Sequence, residues 1–272
     1  MAGVEQMRAQ AEPLTPMAHT QAPFVATPRP TVIVDELHCV YHVHGAATRG
    51  TATGALSRII TRKTSPGIKK IHAVRGVSFE AYEGDSIGLI GRNGSGKSTL
   101  LSAIAGLLPP ASGQVFSAGQ PTLLGVNAAL LNELTGERNV MLGCMAMGMS
   151  KAQAAEKYQD IVDFSGIGEF VNLPMTAYSS GMGARLKFAI GAAKQHDVLL
   201  IDEALATGDK EFQRRSEARI NELRSKAGTV FIVSHSSGVI RETCNRVIWL
   251  DKGVIRMDGA TDEVVAAYEE AY

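Results

Sequence analysis

The sequence has little cysteine, one tryptophan and no net charge. Cys39, Cys144 and Cys244 are odd in number and far apart, with no C-x-x-C spacing. That excludes a disulfide framework or a cysteine zinc site and suits a reducing compartment. Lys+Arg and Asp+Glu stand at 27 each, so the chain as a whole makes no electrostatic case for nucleic acid, and none is expected as a partner. No apolar run approaches the roughly 20 residues of a membrane-spanning helix. The N-terminus lacks the basic start and apolar block of a secretory signal, so the chain is not expected to cross a bilayer by itself. No internal repeat is visible. What the sequence does have is 45% hydrophobic residues over 272 positions, enough for a real core in one large domain or two small ones.

The chain is organised around Gly91-Arg92-Asn93-Gly94-Ser95-Gly96-Lys97-Ser98-Thr99, which fits the phosphate-binding pattern G-x-x-x-x-G-K-[ST]. A buried strand is predicted before it, over Ser86 to Ile90, and a helix after it, from Lys97 to Ala105 with a glycine stop at Gly106. In that setting the glycines let backbone N–H groups turn toward phosphates while the helix N-terminus favours the same charge. Lys97 would reach β- and γ-phosphates, and the Ser98 hydroxyl would hold Mg²⁺. The simpler alternative, a glycine-rich connection, does not account for the Lys-Ser pair or for the flanking elements.

Residues 1–30, rich in Ala, Pro, Gln and Thr, read as a disordered tail, with the folded part beginning at Thr31 and a further strand over Leu37 to Val43. From Leu37 to Phe79 there is no acidic residue, but Arg49, Arg58, Arg62, Lys63, Lys69, Lys70 and Arg75 are present. This basic insertion, over about 45–70, is either a surface for anionic lipid headgroups or phosphorylated substrate or a solvated loop. His38, His42 and His44 raise a metal site, but no ligand set completes it, since Cys39 should face away from His42 and His44 on a strand.

Further on, a helix is predicted from Leu134 to about Met147. Ser150 and Gln153 form a capping box for the next one. Met141, Met145, Met147 and Met149 read as packing in a helical subdomain or as an adaptable partner surface. A third helix opens at Tyr178 to Met182 and runs to about Lys194. Val198 to Ile201 reads as a strand buried on both faces that ends in Asp202-Glu203, at a parallel sheet's ligand edge. Thr229 to Ser234 repeats that arrangement and ends at His235. A hairpin around Asp251-Lys252-Gly253 and a terminal helix from Asp262 close the chain. The strand ends together suit phosphoryl transfer, which needs mostly positioning and charge stabilisation. Asp202 with Ser98 would hold Mg²⁺, Glu203 would activate water, and His235 would contact the γ-phosphate.

These residues resemble, in order, the Walker A loop (Gly91 to Thr99), signature (Tyr178, Ser179, Ser180, Gly181, Met182), Walker B strand (Val198 to Glu203), D-loop (ending at Asp209) and switch histidine (His235) of an ABC-type ATPase subunit. The resemblance covers roughly Thr31 to Tyr272. It implies an α/β fold of the P-loop NTPase type, an ABC nucleotide-binding domain with an antiparallel β-subdomain and a helical subdomain over about 126–194. It further implies ATP and Mg²⁺ as ligands and a head-to-tail homodimer, with Ser179 and Gly181 reaching the nucleotide on the other copy and Asp209 at the seam. The signature with its continuation Ala184 to Ala189, and Leu134 to Asn139, are similar to the ATPase subunits that export O-antigen, teichoic acid, capsule and actinobacterial galactan. Such subunits work at the cytoplasmic face of the bacterial cell membrane with a separate permease and a lipid-linked glycan. Some carry a C-terminal glycan-binding β-domain, which this sequence is expected to lack. No glutamine stands where the Q-loop would align; Val126 and Asn127 fall there. The adenine-stacking aromatic is expected to be Tyr41, with His72 as the substitute. The competing readings are a cassette exporting another lipid or a peptide, a soluble ATP-driven clamp, and a catalytically silent regulatory cassette. The clamp would need coiled coils or a second phosphate loop, which the sequence does not have.

Overall fold

The computed structural model describes residues 29–43, 69–125, 130–202 and 209–272. Two sheets lie on either side of one core. In the smaller, β1 (Pro30–Val43) is flanked by β2 (Lys69–Tyr82) and β4 (Ser112–Ser117), all antiparallel. The larger has the order β5-β6-β7-β3-β8-β9, built from β3 (Ser86–Ile90), β5 (Thr122–Leu123), β6 (Val198–Ile201), β7 (Thr229–Val233), β8 (Arg246–Asp251) and β9 (Val254–Ala260). It is parallel except for the last pair.

The short parallel strands are apolar along their whole length because helices or the smaller sheet cover both their faces. All of β6 and β7 is buried. Alternate residues serve different cores: Val198 and Leu200 pack with β1, β2 and α1 (Lys97–Ile104), whereas Leu199 and Ile201 pack with α5 (Lys210–Lys226), α6 (Ser237–Thr243) and α7 (Thr261–Ala271). A third cluster joins α2 (Gly136–Ala146), α3 (Lys151–Ser165) and α4 (Ser180–Gly191). The capping box forms as the sequence requires, with Gln153 N–H on Ser150 Oγ and Ser150 N–H on Gln153 Oε1. Met149 is buried and Met141 and Met147 pack on the third cluster, while Met145 is exposed.

The two strand segments expected over 31–43 are one strand. Glu36, at φ 42°, forms a bulge that carries β1 through, and its N–H is held by Ser78 Oγ. Lys69, Lys70 and Arg75, taken with the basic insertion, lie on β2 instead, opposite Val43, His42 and His38. Residues 1–28 and 44–68, with Arg49, Arg58, Arg62, Lys63 and His44, lie outside the described residues. Cys39 points into the core while His42 is exposed. Cys39, Cys144 and Cys244 are buried free thiols, and burial raises the pKa of each, that of Cys144 to about 11. Among the described residues no helix is long and apolar enough to cross a membrane.

Candidate functional site: a phosphate loop at the sheet edge

The loop between β3 and α1 is fixed from behind. Gly91, at φ 142°, sits so close to β8 that a Cβ there would lie 2.1 Å from the Leu250 carbonyl oxygen; at Gly96, φ 107°, it would lie 2.4 Å from that of Ala73 on β2. Gly94, by contrast, has φ 79° and nothing within 4 Å. The loop therefore has a packed back and an open front, and only glycine satisfies both the dihedrals and the close approaches. A run of backbone hydrogen bonds ties it further: Ser95 O accepts from Gly253 N–H (2.9 Å), and Gly253 O accepts from Arg75 N–H (2.8 Å). Lys252 and Gly253 both have positive φ, as a two-residue β8–β9 turn needs.

Lys97 is buried, and its ammonium donates to the carbonyls of Gly91 (2.7 Å) and Arg92 (3.1 Å) inside the loop. The first turn of α1 contains no acidic residue, so no carboxylate of that turn offsets the positive end of the helix dipole. A buried cation, glycine-turned backbone and a helix N-terminus are the groups that suit a polyphosphate. On the loop's other side, Arg92 places its guanidinium 5.2 Å from the centre of the Tyr272 ring.

Parallel register carries the other residues to the same edge. Leu89 pairs with Val233, Ile201 with Ile232 and Ile90 with Trp249, so Gly91, Asp202 and Ser234 each lie just past a strand end. The spacing between strands puts the ends of β3 and β6, with β7 between them, on the order of 10 Å apart. Asp202 is half-buried, while Ser98 and His235 are exposed. The oxygens of Ser98 and Asp202 are hard donors suited to Mg²⁺. Glu203 lies outside the described residues, as do Val126 and Asn127.

Tyr41 and His72 are told apart by register. Tyr41 is cross-strand from Ile71, and Val40 from His72, so Tyr41 and His72 face opposite sides of the sheet. The Tyr41 hydroxyl is 3.4 Å from Thr99 Oγ1, on the phosphate-loop side. Tyr41 and Ile71 are both exposed there. Ile71 escaped the sequence reading because β2 did.

Ser179 N-caps α4, its hydroxyl accepting from Met182 N–H (3.2 Å), and the first helical bond runs from Gly183 N–H to Ser179 O (3.1 Å). Ser179 and Ser180 are exposed and Gly181 and Met182 half-buried. Behind them Tyr178 donates to Phe170 O (2.8 Å), and at Gly136 a Cβ would meet the Tyr178 hydroxyl at 2.2 Å. Asp209 N-caps α5 through Phe212 N–H (2.8 Å) and pairs with Arg185 of α4 at 2.5 Å. The Phe212 N–H and the Arg185 guanidinium both hold its carboxyl below the usual range.

The profile of the ABC transporter family matches residues 74–206. A teichoic acids export ATP-binding protein of Listeria monocytogenes serotype 4b is 40% identical over 206 residues, 76% of this chain and 62% of that one. The protein of the same description from Staphylococcus saprophyticus is 39% identical over 202 residues, 74% of this chain and 76% of that one. The chain thus spans about three fifths of the length of the Listeria relative. In fold it is similar to a dimeric ATP-binding cassette in a post-hydrolysis state bound to ADP and Pi, at TM-score 0.62 and 20% identity over 85% of this chain and 98% of that one. It is also similar to an ATP-binding subunit of an ABC transporter, at TM-score 0.64 and 20% identity over 88% of this chain and 93% of that one. The phosphate loop, the two-sheet architecture and these relatives agree: the chain belongs to the ABC transporter family of ATP-binding cassettes.

Proposed function

We propose that this chain is the ATP-hydrolysing subunit of an exporter that moves a polyprenyl-diphosphate- or lipid-linked polysaccharide outward across the bacterial cell membrane. In this reading it works as a peripheral homodimer on the cytoplasmic face, beside a separate integral-membrane permease. The observation that carries the reading is the phosphate loop, with Lys97 buried inside it and Asp202 and His235 at the same sheet edge, in a chain whose relatives are described as teichoic acids export proteins.

The chemistry follows from the residues. Lys97 exchanges its two loop carbonyls for β- and γ-phosphate oxygens. Tyr41 and Ile71 form the platform for adenine, on the face that meets Thr99. Ser98 and Asp202 would hold Mg²⁺, which would supply charge neutralisation at the phosphates. Glu203 takes a proton from water as its oxygen attacks the γ-phosphorus, the bond to the β,γ-bridging oxygen breaks, and the electron pair leaves with ADP. His235 holds the γ-phosphate in line. The exposed N-terminus of α4, with Ser179, Ser180 and Gly181, presents N–H groups to the γ-phosphate on the other copy, and Tyr178 and Met182 seat that turn.

Depletion of the protein in its native cell tests the reading, with lipid-linked glycans assayed on each side of the membrane. A complete glycan accumulating inside and disappearing from the envelope is the expected result. Normal envelope glycans alongside another failed process would leave the ATPase but refute the cargo.

A further inference from the structure

The two motifs proposed to face the second copy lie on separate helices, the turn 178–182 on α4 and Asp209 at the head of α5. Arg185 joins them. Its Nη2 is 2.5 Å from Asp209 Oδ2, while Asp209 Oδ1 accepts the Phe212 N–H at 2.8 Å, so both carboxylate oxygens are engaged. The guanidinium also lies 5.3 Å from the centre of the Phe212 ring. Phe212 is 1% exposed and meets Phe164 of α3 and Phe188 of α4 edge-on at 5.8 and 5.9 Å. A second guanidinium, that of Arg215, lies against Phe164 and Phe212 at 5.7 and 5.9 Å.

Both arginines have a buried Nε with no hydrogen-bond partner among the described residues. A buried donor without an acceptor is unfavourable, and more stable packing of three phenylalanines would use apolar neighbours. For Arg185 the ring face and the Asp209 carboxylate together offset that cost. They do so only while α4 and the head of α5 keep their present angle.

We propose that Arg185 is a positioning residue: it locks Asp209 to the signature helix, so that the two dimer-facing motifs approach the second copy as one rigid unit. This rests on the reading of residues 178–182 and Asp209 as dimer-facing. Its consequence is that Arg185 governs dimer closure and turnover but not the capture of ATP by a single copy.

The test uses the full chain, with ATP affinity measured by fluorescent-nucleotide titration, kcat and KM by steady-state turnover, and the ATP-bound dimer by size-exclusion chromatography in a Glu203→Gln background. Arg185→Met should leave nucleotide affinity within about twofold while lowering kcat and the dimer fraction roughly tenfold, within the range of coupling between contacting residues. Arg185→Lys, which keeps the charge but loses the planar fork, should restore little. Asp209→Asn added to Arg185→Met should lower kcat no further.

Arg215→Met removes the other guanidinium from the same ring without touching Asp209, and should leave kcat near wild type. If Arg215→Met lowered kcat as much as Arg185→Met, or if Arg185→Met turned over normally, the positioning role would be refuted. Turnover that survives Lys97→Ala in an otherwise wild-type chain would overturn the ATPase reading beneath it, a different pattern from either result.

Discussion

Replacing Gly91 by alanine should be far more damaging than replacing Gly94, three residues along the same loop. At Gly94 the new methyl meets nothing within 4 Å, so the only cost is a left-handed backbone, about 1–2 kcal/mol. At Gly91 the dihedral cost is similar or larger, and the methyl would also sit 2.1 Å from the Leu250 carbonyl oxygen, more than 1 Å inside ordinary contact. Leu250 cannot withdraw freely, because it is 1% exposed and β8 lies between β3 and β9. Overpacking a core of this kind costs roughly 1–3 kcal/mol. The sum for Gly91→Ala is about 2–5 kcal/mol, a large part of the 5–15 kcal/mol that holds most folded proteins. At 2–4 °C for each kcal/mol in a chain of this size, differential scanning calorimetry should show Gly91→Ala melting about 4–20 °C below wild type and Gly94→Ala about 2–8 °C below, with Gly91→Ala the lower of the two. Equal melting points for the two variants would show that the loop is not wedged against β8, and the packed-back, open-front description would fail.

Two further outcomes are expected. Tyr41→Ala should weaken ATP binding about two- to tenfold, the worth of one aromatic contact, with His72→Ala unchanged; the opposite ranking in a nucleotide titration would reverse the assignment of the sheet's faces. His196 is buried against the Gly191 carbonyl, and burial holds its pKa below the usual value. Its neutral form is therefore the folded form: its contribution to stability is complete above about pH 6.5 and is lost as the pH falls from there through the depressed folded value. Urea melts between pH 7 and 5 should show His196→Gln with the smaller decline, by up to about 1.4 kcal/mol per pH unit, and parallel curves would remove His196 as the cause.

The residues proposed to carry chemistry are legible because each is announced by a local rule. The phosphate loop has its glycine spacing, β6 its unbroken apolar run before Asp202, and α3 its Ser150–Gln153 box. What stayed hidden was decided by partners distant in sequence. In β2 the inward residues Val77, Phe79 and Ala81 alternate, but a bulge near Gly76 separates Val77 from Val74 by three positions, and the lack of acidic residues gives the stretch the composition of a basic loop. Helix α5 is charged nearly all round and buries only Phe212, Ser216 and Leu223, too few for a clear apolar stripe. Arg185 stood in plain view in the signature's continuation, yet nothing local to it names Asp209, 24 positions later.

The turn at Gly253 bears on the size of nucleotide that the proposed site would accept. Its N–H is fastened to the phosphate loop and its carbonyl to β2, and β2 with β1 carries Ile71 and Tyr41. One residue thus anchors both the phosphate loop and the strand that carries Ile71, and in the proposed reading the gap between the adenine platform and Lys97 has a set length, like the jaws of a fixed gauge. A nucleotide with a shorter or longer reach from ring to terminal phosphate would meet one jaw or the other but not both, and no side chain need contact the sugar for the difference to be felt.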